Sequence, residues 1–194
     1  MINIILKDGS VKKYSEETSV ISIAKDISEG LARNVISAKF NEKVIETNSI
    51  IREDGKLEFY TWDNDDGKKA FWHSSSHVMA QSIQELFPEA KLTIGPAINN
   101  GFYYDVDLGD KKISESDFEK IETRMLEICR EKHDFKLRLV SKKDALQFYK
   151  KQNNDYKIEL INDLNDGEIT FCDHSDFTDL CKGGHIPNLS LIHI

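Results

Sequence analysis

The stretch INIILKDGSVKKY, residues 2–14, decides the fold at the start of the chain. INIIL and VKKY have the apolar-rich or mixed composition of strands, and Asp8-Gly9 between them is a hairpin turn signal. Two short extended segments joined by such a turn predict a β-hairpin. The segments that follow are therefore expected to complete a sheet rather than a helical bundle.

A helix is predicted next, beginning near Val20, with Thr18 or Ser19 as its N-cap. VISAKFNEKVI then alternates as two strands around a turn at Asn41-Glu42, and LEFYT supplies a last strand. The order of hairpin, helix and further strands predicts a small α+β roll over residues 1–61. No sequence pattern within residues 1–61 is typical of a catalytic site.

DNDDGKK, residues 63–69, is polar and lacks apolar periodicity, so residues 62–69 are predicted to be a linker. An amphipathic helix is expected from about Phe71 to Phe87, where Pro88 stops it. KLTIGPAINNGFYYDVDL is strand-rich and is broken by glycine turns.

Further along, the run from Ser116 to Glu119 reads as a capping box for another helix, and Ser141 opens the next one. DFKLRLV, YKIELI and ITFCDH are strand-like. Residues 70–194 are therefore expected to form a second domain, with an antiparallel sheet and packed helices. The predicted fold class of the whole chain is α+β.

Composition narrows the functional classes. Of 194 residues, 39% are hydrophobic, and no run approaches the ~18 apolar residues of a membrane span. Three cysteines are too few for a disulfide framework and favour a reduced, cytoplasmic setting. The net charge of −8 is unusual for a general nucleic-acid binder, so any contact with RNA should be local, or much of the binding surface should lie elsewhere.

Two motifs carry candidate chemistry: HSSSH, with His73 and His77, and CKGGH, with Cys181 and His185. Histidines four apart on a helix share one face, whereas the glycine pair in CKGGH favours a tight loop. Imidazole and thiolate ligands in this number suit tetrahedral Zn²⁺. They also suit a metal-free site in which imidazoles and a thiol activate water.

Blander interpretations stay open for these residues. His73 and His77 are alternatively helix-surface residues, with Cys181 a small buried hydrophobic residue. Three further residues, which a family resemblance singles out below, also have structural alternatives: Lys157 as a solvated strand residue, Tyr104 as a core residue and Asp179 as a loop cap. The residues expected to be structural are His133, His174, Cys129 and Cys172, and His193 lies in the terminal tail.

HSSSHVMAQSIQELFP, IGPAINNGFYYDVD, YKIELI and DLCKGGHIPN, in that order, resemble the editing domain of the threonyl-tRNA synthetase family. Residues 1–61, with LKDGS, resemble its leading TGS domain, a β-grasp module. The resemblance covers nearly the whole chain and implies hydrolysis of the ester that joins serine wrongly to the 3′ end of tRNA(Thr). One missing methyl group changes the binding free energy by only about 1–3 kcal/mol, too little to reject serine reliably, so a second, hydrolytic sieve is needed.

The resemblance also implies the site residues and their roles. His73 and Lys157 would hold the terminal ribose hydroxyl and position water, and Asp179 would hold the substrate amino group. Tyr104 would form a wall or donate a hydrogen bond. The other three members, His77, Cys181 and His185, would shape the pocket or polarise water or the carbonyl. The implied catalytic residues are His73, His77, Lys157, Cys181 and His185, and the implied substrate-binding residues are Tyr104 and Asp179.

Metal content is the main choice left open by the resemblance. The related alanyl-type editing domains bind zinc through the same four ligand positions, whereas the threonyl family implies a metal-free site. We expect no metal; a zinc site would use His73, His77, Cys181 and His185. The alternatives are therefore a stand-alone zinc-dependent deacylase and a non-catalytic TGS-containing binding module.

The end of the chain departs from the family pattern. After HIPN the family continues into a closing strand, and beyond it into an aminoacylation core. Here LSLIHI ends the chain, so we expect a truncated editing domain. The ATP, the zinc and the homodimer contacts of the ligase are expected to belong to that core.

Overall fold

The computed structural model describes residues 1–192; His193 and the C-terminal residue lie outside the described part. The chain divides into two compact units, residues 1–71 with 183–187 and residues 72–182 with 188–192. Both units contain helices and strands, so the α+β class is confirmed. Among residues 1–192, no helix has the length and apolar character needed to cross a membrane.

The first unit is built around a five-stranded sheet in the order β2-β1-β7-β4-β5. β1 and β7 are parallel, and the other neighbours are antiparallel. β3 and β6 form a separate antiparallel pair. The elements are β1 Ile2–Leu6, β2 Val11–Tyr14, β3 Thr18–Ser19, α1 Val20–Ile27, α2 Glu29–Asn34, β4 Ser37–Phe40, β5 Lys43–Ile45, β6 Ile50–Ile51 and β7 Gly55–Tyr60.

The predicted hairpin and helix are confirmed in this unit. Gly9 takes a left-handed φ of 84° between β1 and β2, a conformation that glycine adopts without steric cost. Ser19 caps α1, because its side chain accepts the Ser22 N–H at 3.2 Å. Ile4 of β1 and Ile23 of α1 are fully buried in one core cluster, so the apolar face of α1 covers the sheet.

The helix carrying HSSSH is α3, Asp65–Leu86, and it begins earlier than predicted. Residues 65–69, assigned to a linker by their polarity, are its first turn. Asp65 and Asp66 favour that position because carboxylates stabilise the positive end of a helix. Gly67 is needed there, since a Cβ would lie 2.0 Å from the Thr61 carbonyl oxygen.

The second unit contains a three-stranded antiparallel sheet, β12-β13-β14, and two antiparallel strand pairs, β8 with β11 and β9 with β10. The predicted antiparallel sheet is therefore present. The elements are β8 Lys91–Leu92, β9 Ala97–Ile98, β10 Gly101–Phe102, β11 Val106–Asp107, α4 Glu115–Arg130, β12 Lys136–Leu139, α5 Lys142–Lys151, α6 Asp155–Asn162, β13 Thr170–His174 and β14 Phe177–Leu180, followed by a 3₁₀ turn Leu189–Leu191.

YKIELI is helical, so the strand prediction for it was wrong. It forms most of α6, whose N-cap Asn154 accepts the Lys157 N–H at 3.1 Å. Lys157 and Ile161, four residues apart, are the buried face of the helix. A run of six residues is too short for its pattern of apolar residues to distinguish a strand from a helix. The signal that indicated a helix was Asn154, a favourable N-cap residue.

The structure also differs from the prediction at two smaller points. Helix α4 is capped at Ser114, whose backbone N–H and hydroxyl both bind Asp117, and not at Ser116. FTDL, for which no element was predicted, forms β14, because it pairs along its whole length with β13. The second difference matters for function, since Asp179 lies on that strand.

Candidate active site

Helix α3 brings the two histidines of HSSSH together, as their spacing predicts. The Nε2 atoms of His73 and His77 are 3.2 Å apart. His77 is 2% exposed, whereas His73 is half-buried and so is the one nearer solvent. Ser76 fixes this part of the helix, because its hydroxyl bonds the carbonyl oxygens of His73 at 2.7 Å and of Gly95 at 2.8 Å.

Cys181 joins this pair from the end of β14. Its backbone N–H donates to Thr170 on the neighbouring strand at 3.0 Å, and Thr170 in turn donates its hydroxyl to the Cys181 carbonyl oxygen. The Sγ atom is 3.4 Å from His73 Nε2. The donor atoms of His73, His77 and Cys181 lie within 4.8 Å of one another, so these three side chains form one cluster, a possible metal-binding group.

A second cluster is centred on the carboxylate of Asp179, which is 4% exposed. Its Oδ1 accepts from Lys157 Nζ at 2.5 Å, from the Tyr149 hydroxyl at 3.2 Å and from the Leu180 N–H at 2.8 Å. Its Oδ2 accepts from the Tyr104 hydroxyl at 2.5 Å. Both carboxylate oxygens are thus satisfied by side chains from three different parts of the second unit.

The charges in this cluster are balanced within it. Lys157 is 2% exposed and lies against the Asp179 carboxylate. The two buried charges are therefore paired with each other, as buried ions require. Burial raises the pKa of Tyr104 well above its usual range, and the Asp179 charge raises it further. The pKa of Tyr149 is raised for the same two reasons. Both phenols are therefore hydrogen-bond donors at neutral pH.

The two clusters meet at His77 and Asp179. His77 Nδ1 lies 3.9 Å from Asp179 Oδ2, close enough for the carboxylate to influence the imidazole electrostatically but too long for a hydrogen bond. Gly95 lets the Tyr104 ring pack closely against the backbone of the segment that precedes it. A Cβ at Gly95 would lie 2.1 Å from Cδ2 of the Tyr104 ring, so only glycine allows this approach.

His185 belongs to the first unit and is fully buried. Its Nδ1 lies 3.5 Å from Oε1 of Glu46, and the same oxygen accepts the Gly184 N–H at 3.0 Å. Burial raises the pKa of Glu46, but the hydrogen bond and charge of His185, together with backbone hydrogen bonds of Glu46 and Gly184, outweigh that effect, and the net pKa is lowered.

The structure thus places six of the seven predicted site residues in the two clusters of the second unit. Sequence reasoning missed Tyr149, whose hydroxyl also accepts the Leu180 N–H at 2.7 Å, and Glu46. Tyr149 sits among lysines on α5, and only its helical spacing from buried Ala145 marked it as inward-facing. Glu46 had no local signal at all.

The residues expected to be structural are placed as follows. His174 is 2% exposed and its ring lies 4.8 Å from that of Phe135, whereas His133 is exposed and 3.3 Å from Glu131. Cys129 is buried, and burial raises the pKa of its thiol to about 11. That shift is opposite to the one an activated cysteine needs.

Residues 2–61 match the family model described as the TGS domain, which confirms the β-grasp assignment of the first unit. The chain is 62% identical over 192 residues, 99% of its length, to the threonine–tRNA ligase of Flavobacterium psychrophilum. It is 47% identical over 189 residues, 97% of its length, to that of Clostridioides difficile. The chain is homologous to the N-terminal region of threonine–tRNA ligases. It spans 29% of the length of each of these two ligases.

Proposed function

We propose that this chain hydrolyses the ester of seryl-tRNA(Thr), the error product of a threonine–tRNA ligase. The observation that carries the proposal is the pair of neighbouring clusters in the second unit, with His73, His77 and Cys181 beside the buried Lys157–Asp179 pair. The ligases named above attach threonine to tRNA, and serine differs from threonine by one methyl group. A pocket that admits serine and excludes that methyl supplies the second sieve that binding alone cannot.

The reaction needs a base for water and a donor for the developing negative charge. His73 is the proposed base, since it is the half-buried member and its Nε2 contacts both His77 and Cys181. Water adds to the ester carbonyl, the bond to the ribose oxygen breaks, and the proton taken by His73 passes to that oxygen. The products are serine and tRNA with a free terminal hydroxyl.

Lys157, Tyr104 and Asp179 are proposed to act together. Asp179 accepts from the Lys157 ammonium and from the Tyr104 hydroxyl and holds both in fixed positions. The ammonium keeps further N–H groups that can donate to the substrate, whereas the single Tyr104 proton is donated to Asp179, so Tyr104 acts as a wall of the pocket. Contact between Asp179 and the amino group of the substrate would use Oδ2, which has the fewer partners. His185 remains a proposed site member on the strength of its Cys-x3-His spacing.

The purified chain is expected to release serine from seryl-tRNA(Thr) about 10- to 200-fold faster than threonine from threonyl-tRNA(Thr), the discrimination of one methyl group. The measurement is release of radiolabelled amino acid at equal tRNA concentrations, corrected for hydrolysis in buffer. Equal rates for the two esters would contradict editing. Retained tRNA binding without turnover would support the non-catalytic binding module.

Zinc-dependent deacylation is the second candidate, and the donor distances favour it. Two imidazole nitrogens on tetrahedral zinc lie about 3.3 Å apart, and a nitrogen and a thiolate sulfur about 3.6 Å apart. The corresponding distances here are 3.2 Å and 3.4 Å. His73, His77 and Cys181 therefore fit the metal, with His185 the fourth ligand by sequence spacing. When bound, zinc would lower the pKa of a water ligand.

Metal content separates the two candidates. For the metal-free site we expect an unchanged deacylation rate after treatment with a chelator, and no stoichiometric zinc by mass spectrometry. The matched control is the double variant His77→Ala, Cys181→Ala, which removes two of the donors. Stoichiometric zinc in the parent chain, absent from the double variant, together with a rate that zinc restores, would establish the second candidate instead.

A further inference from the structure

Glu46 is a buried carboxylate in a domain to which no chemistry was assigned. It follows β5 and is 7% exposed. Its backbone is held firmly, because its carbonyl oxygen accepts the Ser49 N–H at 3.0 Å and the segment binds the start of α1 through Thr47 and Ser49. A carboxylate is buried only at a cost unless it is paired, so its partners indicate what it is for.

The partners of Glu46 are two consecutive residues of the CKGGH motif. Oε1 accepts the Gly184 N–H at 3.0 Å and lies 3.5 Å from His185 Nδ1. Gly183 and Gly184 have left-handed φ angles of 90° and 85°, which let the loop turn its amide towards the carboxylate. A Cβ at Gly184 would meet Val44 only at 3.6 Å, so the conformation, not space, requires glycine there.

We propose that Glu46 is a positioning residue that orients the imidazole of His185, a proposed member of the hydrolytic site. A carboxylate facing Nδ1 favours the tautomer with a proton on that atom. Nε2 then carries the lone pair and is the basic nitrogen of the ring. This role rests on the proposed function, because it acts through the place of His185 in the His/His/Cys/His pattern.

The tautomer of His185 is the direct readout, and it does not depend on turnover. Long-range ¹H–¹⁵N spectra of the full chain are expected to show His185 protonated at Nδ1, with its signals assigned by their loss in His185→Asn. Glu46→Ala is expected to shift His185 towards the Nε2-protonated form, whereas Glu46→Gln, which keeps an acceptor oxygen, retains most of the Nδ1 form. Nε2 protonation in the parent chain, or an unchanged pattern in Glu46→Ala, would overturn the proposal.

Hydrogen exchange of the Gly184 amide gives a second measurement. Its bond to a charged acceptor should slow exchange, so we expect about tenfold faster exchange in Glu46→Ala. The control is Glu42→Gln, which changes an exposed glutamate of the same domain that forms a surface ion pair with Lys39. An equal change in the control would show that the loop responds to the domain as a whole.

Deacylation kinetics tests the consequence. Glu46→Ala is expected to lower kcat by about 10- to 100-fold, the range known for carboxylates that orient histidines in metal sites, with KM for seryl-tRNA(Thr) unchanged. Glu46→Gln should recover part of kcat. A parent chain without turnover refutes the proposed function, while the tautomer and exchange results still decide the role of Glu46. A fall in folding stability with kcat intact would reduce Glu46 to a structural residue.

Discussion

Replacing Asp179 with alanine is expected to lower the free energy of unfolding of the second unit by about 3–5 kcal/mol. The reason is the charge left behind: Lys157 is 2% exposed and is paired with that carboxylate. Alanine removes the acceptor without removing the ammonium, and it also leaves the Tyr104 and Tyr149 hydroxyls without their common partner. Urea unfolding followed by circular dichroism measures the change.

A double variant separates charge from packing. Lys157→Met combined with Asp179→Leu replaces both ions by apolar side chains and should recover most of the loss, because a buried ion pair contributes little over such a pair. Glu89→Ala is the surface control, since its pair with Lys111 is largely exposed. If Asp179→Ala is as stable as the parent chain, Lys157 reaches solvent or another partner, and the assignment of a cluster around Asp179 is wrong.

Replacing His73 with alanine is expected to reduce seryl-tRNA(Thr) deacylation by about 10²- to 10⁴-fold, the contribution of a positioned general base. His73 is the half-buried member of its cluster, and its Nε2 touches both other members. The loss should appear in the first-order rate constant of deacylation measured under single-turnover conditions, with the melting curve little changed.

His133→Ala is the matched control for this prediction. His133 is exposed and pairs with Glu131 at 3.3 Å, so it tests for the general loss of an imidazole from the surface of the same unit. Its deacylation rate should equal that of the parent chain. If His73→Ala keeps the parent rate as well, the proton is taken by another group, and His77 or a metal-bound water becomes the better assignment.

Local chemistry explains which elements were predictable. The hairpin at Gly9, the Ser19 and Ser141 caps and the face shared by His73 and His77 depend on residues within four positions of one another. Where local signals compete, the prediction failed: polar residues 65–69 begin a helix, and YKIELI is helical. In both cases packing and capping decided between two states that the local composition permits.

The sequence by itself determined the two-part α+β organisation, the pairing of His73 with His77, and the relationship to threonine–tRNA ligases. Only the tertiary structure decided how the charged groups are satisfied. Asp179 meets Tyr104 across 75 residues and Lys157 across 22, and Glu46 meets Gly184 across 138. Turns and caps come from neighbours in the chain, but a buried carboxylate is stable only where folding brings distant donors to it. Such partners have no period or spacing from which they can be read.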